Sequence, residues 1–299
     1  MLSDFAGPYS DLSGKGSEIG TRLAVEDFLK TRPDFKIEVI TGDHQNKPDA
    51  GAMIVRRWLQ VDGVDAVVDV ASYAHGAHAR YMACPAETLV QLPDEISFEG
   101  GAAISCGTST AYGALMRLNM RGGSTLAIFG QGPVGLSTTM LAAAMGMKVI
   151  GIDISDERLD LAKEAGASDV VNVSNTDAVR AVIDLTGGIG ADYTMDTSGS
   201  ATGRLSAIQS TRVFGTMAFV GEGGNVTIDV SNDIMRRQLN MIGSWTFSRT
   251  GQDDCARFVV KHKLPIDKFI THKFKLEDAD AAYKLFDQQR IGKGVLVPS

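Results

Sequence analysis

The 299 residues are 44% hydrophobic and 22% charged, with a formal net charge of −7, a globular composition long enough for two domains. Acids and bases are interspersed, so no basic stripe offers itself to nucleic acid or to an anionic membrane. The three cysteines, Cys84, Cys106 and Cys255, form no CxxC pair, which excludes a disulfide framework and a four-cysteine structural zinc lobe. The opening "MLSDFAGPYS" has neither a basic nor an apolar leader region, and the expectation is a cytoplasmic protein. Residues 125 to 152, the most apolar stretch, are broken by five glycines and a proline and read as strand, turn, helix and strand, not as a membrane span.

Residues 1 to about 71 alternate helical and β-rich runs. "GSEIGTRLAVEDFLK" places Ile19, Leu23, Ala24 and Phe28 on one helix face, "AGAMIVRRWLQV" repeats the device, and "KIEVIT" and "DAVVDV" read as apolar strands. The pattern is βαβαβ, the opening of a doubly wound sheet, although only Met1 and Leu2 precede Ser3-Asp4-Phe5 in its first strand. "DFAGPYSDL" and "DHQNKPD" resemble the first lobe of the periplasmic amino-acid-binding proteins of ABC transporters. That resemblance implies an export signal and two lobes closing on an amino acid, of which only part of the first lobe is expected here.

From about Tyr73 the pattern changes without a Gly/Ser linker. "HGAHARYMACPAETLVQLPDEISFEGGAAISCGTSTAYGAL" resembles the zinc-dependent medium-chain alcohol and polyol dehydrogenases, and the likeness continues to Val297. The expected fold is α/β: a doubly wound dinucleotide-binding domain over residues 111–247, a partial catalytic domain from 72–110 and 248–299, and the receptor-like fragment over 1–71.

The strongest chemical signal is "TLAIFGQGPVGLSTTMLAAAMGMKVIGID". A β-rich run feeds Gly130-Gln131-Gly132-Pro133-Val134-Gly135, a helix follows, and a second strand ends in Asp153. This is the strand–turn–helix context that gives a GxGxxG pattern its meaning. Gly130 permits the tight turn, Gly132 lets backbone approach a pyrophosphate, and Gly135 allows close helix packing. Pro133 suits a first helical turn, whose N-terminus attracts phosphate. A carboxylate at Asp153 accepts the ribose hydroxyls and repels a 2′-phosphate, favouring NAD over NADP; the alternative is that Asp153 caps the helix "SDERLDLAKEAG". Further strands at "DVVNV", "ADYTMDTSG", "GTMAFVGEG" and "NMIGSWTFS" complete six parallel strands. The dehydrogenase resemblance implies cofactor contacts at Arg158, Ser198, Val220, Gly221, Glu222, Ser244 and Lys293. At Gly221 a glycine before a cofactor has a steric reason; a solvated helix residue is the plain alternative for Arg158, and strand-end packing is the plain alternative for the others.

The same resemblance makes Cys106 the family's last ligand to a catalytic zinc and Thr110 its hydroxyl residue near the nicotinamide, although a helix-start threonine explains Thr110 equally well. Catalytic zinc needs three protein ligands and one open position, and the family's "CHSD"-like and "GHE" ligand motifs do not occur here. His44 belongs to the receptor-like segment, and His75 and His78 match family positions that bind no metal. One cysteine cannot hold a catalytic zinc.

The leading expectation is an oxidoreductase transferring hydride between a secondary alcohol or polyol and NAD, impaired by its missing zinc ligands. The alternatives are a non-catalytic NAD-binding remnant, a chimeric gene product, a zinc-free reductase, and amino-acid binding by the N-terminal segment. Homo-oligomerisation is expected as well, through the "MIGSWTF" strand and through apolar residues such as Phe258, Val259, Phe269, Tyr283 and Phe286, which the family would cover with its barrel.

Overall fold

The computed structural model describes residues 1–3, 5–6, 14–45, 48–62, 64, 89–288 and 292–297. The chain divides into two compact units, Met1–Leu89 with Pro298–Ser299, and Val90–Val297. The expected strand "DAVVDV", the change of pattern near Tyr73, and His75, His78 and Cys84 lie outside the described residues.

In the first unit, β1 (Leu2–Ser3), α1 (Gly14–Thr31), β2 (Gly42–Asp43) and α2 (Pro48–Gln60) follow in order. β1 and β2 pair in parallel, Leu2 opposite Gly42 and Ser3 opposite Asp43. Among the described residues, Met1, Leu2 and Trp58 are its buried apolar side chains. The Trp58 ring lies over Gly42 so closely that a Cβ there would meet it at 2.8 Å. Two expectations are corrected. "KIEVIT" is not a strand, since pairing begins only at Gly42. The α1 face expected to face a core is also open: Ile19, Leu23 and Phe28 are 58%, 55% and 40% exposed. Among the described residues, two rungs of ladder are too short a surface to cover an 18-residue helix.

The second unit opens on α3 (Phe98–Ala103), capped by Ser97, whose hydroxyl accepts the Gly100 N–H at 3.0 Å. A π-helical turn, Ile104–Thr108, joins it to α4 (Ser109–Leu118), which ends where Asn119 turns left-handed at φ 49°. The alternating part follows: β3 (Thr125–Phe129), α5 (Pro133–Ala144), β4 (Lys148–Asp153), α6 (Asp156–Glu164), β5 (Asp169–Asn172), α7 (Ala178–Leu185), β6 (Ala191–Asp196), α8 (Ala201–Ser210), β7 (Thr211–Phe219) and β8 (Asn240–Gly243). The six strands are all parallel, in the order β5-β4-β3-β6-β7-β8, which is the dinucleotide-binding order with its switch point at β3.

β3 shows why the sheet is buried on both faces. Its side chains alternate: Leu126 and Ile128 enter one core with Leu115, Leu136, Met195 and Val259, while Ala127 and Phe129 enter the other with Ile150, Ile152, Val182 and Ile208. Helices on both sides demand such continuous apolar runs.

The chain then forms α9 (Arg249–Lys261), β9 (Ile270–Lys275), α10 (Ala279–Asp287) and β10 (Lys293–Val297), with β9 and β10 paired in parallel. Val259 and Phe269 are buried, and Phe258 packs on Tyr112 at 5.7 Å between ring centres. These three residues find cover within their own unit, contrary to the expectation that they need an outside partner. Tyr283 remains 51% exposed. Among the described residues, no helix is long and apolar enough to cross a membrane.

Candidate functional site

The C-terminal edge of the sheet at the switch point is where doubly wound folds open a crevice, and the glycine turn leaves β3 there. Gly130 has φ 100°, a conformation only glycine adopts without strain, and a Cβ on it would meet Ser198 N at 2.9 Å. Gly135 is tighter still, since a Cβ there would lie 1.9 Å from the Gly130 carbonyl oxygen. Gly132 differs from both. Its backbone is ordinary, φ −71°, and a Cβ would have no atom within 4 Å. Among the described residues nothing requires a glycine at 132, so the bare space beside it is open to a ligand.

α5 starts immediately after, with Gly132 as a cap that offers no side-chain hydrogen bond and Pro133 at its first position. The first N–H groups of such a helix carry partial positive charge and no intrahelical partner. Val134 belongs to the same turn. The π-helical segment packs against it: a Cβ on Gly107 would lie 3.7 Å from the Pro133 carbonyl carbon and 3.7 Å from Val134 Cγ2. Gly107 therefore packs beside the glycine turn; Cys106 precedes it in the chain, and its side chain is exposed.

Asp153 ends β4 as expected, but its carboxylate is busier than sequence suggested. Oδ2 accepts the Gln131 N–H at 2.6 Å, and Oδ1 accepts the Ile154 and Ser155 N–H groups at 2.8 and 3.0 Å. The Arg158 guanidinium stands 3.7 Å from Oδ2. The helix cap is Ser155, which accepts the Arg158 N–H at 3.4 Å, so the capping alternative for Asp153 is corrected. Gln131 was not singled out from sequence. It is fully buried, donates through Nε2 to the Ile128 carbonyl at 3.2 Å and accepts from Thr139 at 2.9 Å, which anchors the turn from beneath.

On the other side of β3, the loops after β6 and β7 meet. Asp196 is fully buried and accepts from Ser198 N, Ser198 Oγ and Gly199 N at 3.0, 2.7 and 3.3 Å. Its backbone carbonyl takes the Val220 and Gly221 N–H groups, each at 2.9 Å. The steric reason for Gly221 is internal: a Cβ would meet Gly199 N at 2.3 Å. Glu222 accepts from the Trp245 indole N–H, and Ser244 is buried, its N–H donating to the Phe219 carbonyl at 2.9 Å. Lys293 opens β10 in the separate two-stranded sheet, so β-pairing does not bring it to the turn.

Thr110 does not start a helix, since the π-helical turn runs into α4 without a break; its hydroxyl donates to the Cys106 carbonyl at 2.9 Å. The fit of these residues to a catalytic zinc is poor: among the described residues, no group of three His, Cys, Asp or Glu side chains comes together. Cys255 is fully buried on the face of α9 that meets Ser109 of α4, and burial pushes its thiol up to about 11.

Comparison with known proteins agrees with this architecture. The zinc-binding dehydrogenase family matches residues 133–261, and the periplasmic binding protein family matches residues 1–172. The two overlap on 133–172, a strand–helix alternation common to doubly wound sheets. An uncharacterized zinc-type alcohol dehydrogenase-like protein of Escherichia coli, YphC, is 41% identical over 223 residues, covering 74% of this chain and 63% of its own. Sorbitol dehydrogenase 1 of Saccharomyces cerevisiae is 34% identical, covering 70% of this chain and 60% of its own. Among solved structures, alcohol dehydrogenase TADH from Thermus sp. ATN1 superposes with a TM-score of 0.70 at 27% identity, over 75% of this chain and 66% of that one. An NAD-dependent alcohol dehydrogenase gives a TM-score of 0.67 at 31% identity, over 74% and 65%. Residues 133–261 thus match the zinc-binding dehydrogenase family, to whose members the chain is similar, and residues 1–172 match the periplasmic binding protein family. The chain spans 63% and 60% of the length of the first two relatives.

Proposed function

We propose that the second unit binds NAD across the glycine turn and that the chain is a zinc-type alcohol or polyol oxidoreductase with impaired hydride transfer. The observation that supports it most is Gly132: a glycine with ordinary backbone and empty space beside it, at the N-terminus of α5. The turn and the first N–H groups of α5 would hold the pyrophosphate. Asp153 would meet the adenosine ribose with the acceptor capacity its backbone partners leave, and the neighbouring Arg158 holds that carboxylate in place. Bound NAD would supply the carbon that takes up hydride from a secondary alcohol.

The alcohol must also lose its proton, and here support fails. Cys106 has no companion ligands among the described residues, and the Thr110 hydroxyl is committed to the Cys106 carbonyl. A second reading, NAD binding without catalysis, is favoured by that same observation. A panel of secondary alcohols and polyols with NAD, followed at the NADH absorbance with and without added zinc, separates the two. Weak alcohol-dependent reduction supports the impaired enzyme, none at all supports the binding module, and vigorous turnover refutes the impairment. The cytoplasmic, self-associating form expected from sequence belongs to the same proposal and is tested by cell fractionation and by light scattering.

A further inference from the structure

Arg204 lies in the first turns of α8, its side chain only 14% exposed. Its guanidinium serves three acceptors on two loops. Nε donates to Asp196 Oδ2 at 3.4 Å, Nη2 donates to the Gly221 carbonyl at 2.7 Å, and Nη1 donates to the Gly224 carbonyl. It also rests over the Phe219 ring, 5.8 Å from its centre. Asp196 in turn fixes Ser198 and Gly199. One planar fork thus ties the segment after β6 to the segment after β7, as only arginine's fixed donor geometry permits. The loops themselves touch so closely that a Cβ on Gly199 would lie 2.0 Å from the Glu222 carbonyl.

The strand order gives this tie a consequence. Asp153 ends β4, the glycine turn follows β3, and β6 and β7 continue the sheet on the side away from β4. A dinucleotide lies across the sheet's C-terminal edge at the switch point. With its adenosine ribose at Asp153 and its pyrophosphate at the turn, its other half lies over the ends of β6 and β7. We infer that Arg204 is a positioning residue for the nicotinamide half, holding residues 197–199 and 220–224 in register beneath it. The inference rests on the dinucleotide reading above.

The test compares NADH with ADP-ribose, the same dinucleotide without its nicotinamide, by calorimetric titration of the full chain. Arg204→Lys keeps a cation beside buried Asp196, so no carboxylate is left unpaired, but a point charge cannot serve both carbonyls; Arg204→Met removes the tie altogether. Arg204→Lys should weaken NADH about tenfold and ADP-ribose by less than about twofold, and bound NADH should lose its enhanced fluorescence. Equal weakening of both ligands, or no change in either, overturns the inference. If the unaltered chain binds ADP-ribose but not NADH, the positioning role falls while the adenosine site stands. Binding of neither overturns the dinucleotide reading and this inference with it.

Discussion

Gly132 and Gly135 stand three residues apart in one turn, and alanine at each should have opposite consequences. At 132 the backbone, φ −71° and ψ −170°, suits any residue, and the added methyl meets nothing within 4 Å. Restricting the unfolded chain stabilises by about 0.4–1 kcal/mol, and alanine is a poorer helix cap than glycine by a similar amount, about 0.5 kcal/mol or more. The two nearly cancel, so Gly132→Ala should shift Tm by no more than about 2–4 °C. The methyl then occupies the space proposed for pyrophosphate, and NADH affinity should fall at least about tenfold, or about 1.4 kcal/mol. At 135 the methyl would lie 1.9 Å from the Gly130 carbonyl oxygen. Backbone must move, at a cost of about 1–3 kcal/mol, and Tm should drop by several degrees. Thermal melts and NADH fluorescence titrations of both variants provide the assay. Wild-type NADH affinity in Gly132→Ala would refute the reasoning, because a ligand close enough to need glycine there cannot ignore a methyl.

Asp153→Gly removes the acceptor for the Gln131, Ile154 and Ser155 N–H groups, and NADH binding should weaken by about 1–3 kcal/mol; an unchanged dissociation constant would show that the ribose is held elsewhere. Burial pushes the Asp192 carboxyl up, but the Thr125 N–H and the Arg212 guanidinium outweigh it and hold the group below its usual value. Its contribution to stability is therefore present above the unfolded carboxyl's value of about 3.9 and lost as pH falls through the lower folded value. Asp192→Asn should flatten the acid limb of a Tm–pH profile below about pH 4, and an unaltered limb would contradict the assignment. In a Cys84→Ser background, a thiol reagent at neutral pH should label exposed Cys106 rapidly and buried Cys255 only on unfolding, because the thiolate is the reactive form and the Cys255 thiol is pushed up to about 11. Two fast-reacting thiols would show that α4 does not cover the face of α9 that carries Cys255.

The dinucleotide fold was legible because its signals are local and repeated. β3 and β4 occupy the runs read as strands, Thr125–Phe129 and the stretch ending at Asp153, and Pro133 opens α5. Buried parallel strands need unbroken apolar runs and leave that mark in sequence. "KIEVIT" carries the same mark, yet among the described residues it finds no ladder, since strand formation depends on a partner that composition does not reveal. The polar network was illegible for a related reason. Asp196 and Arg204 are eight positions apart, and the carbonyls of Gly221 and Gly224 that Arg204 reaches are backbone atoms, which no side-chain pattern encodes. Gly221 shows the limit of motif reasoning, since its glycine is demanded by Gly199 in its own protein.

An NAD site built on the glycine turn, with an incomplete set of zinc ligands, is proposed. It is tested most directly by titrating NADH into the purified chain and quantifying zinc on the same sample. Saturable binding at one site per chain, with zinc far below one equivalent, is expected. Near-stoichiometric zinc would mean that Cys106 has found partners outside the described residues, and no NADH binding would contradict the reading of the glycine turn itself.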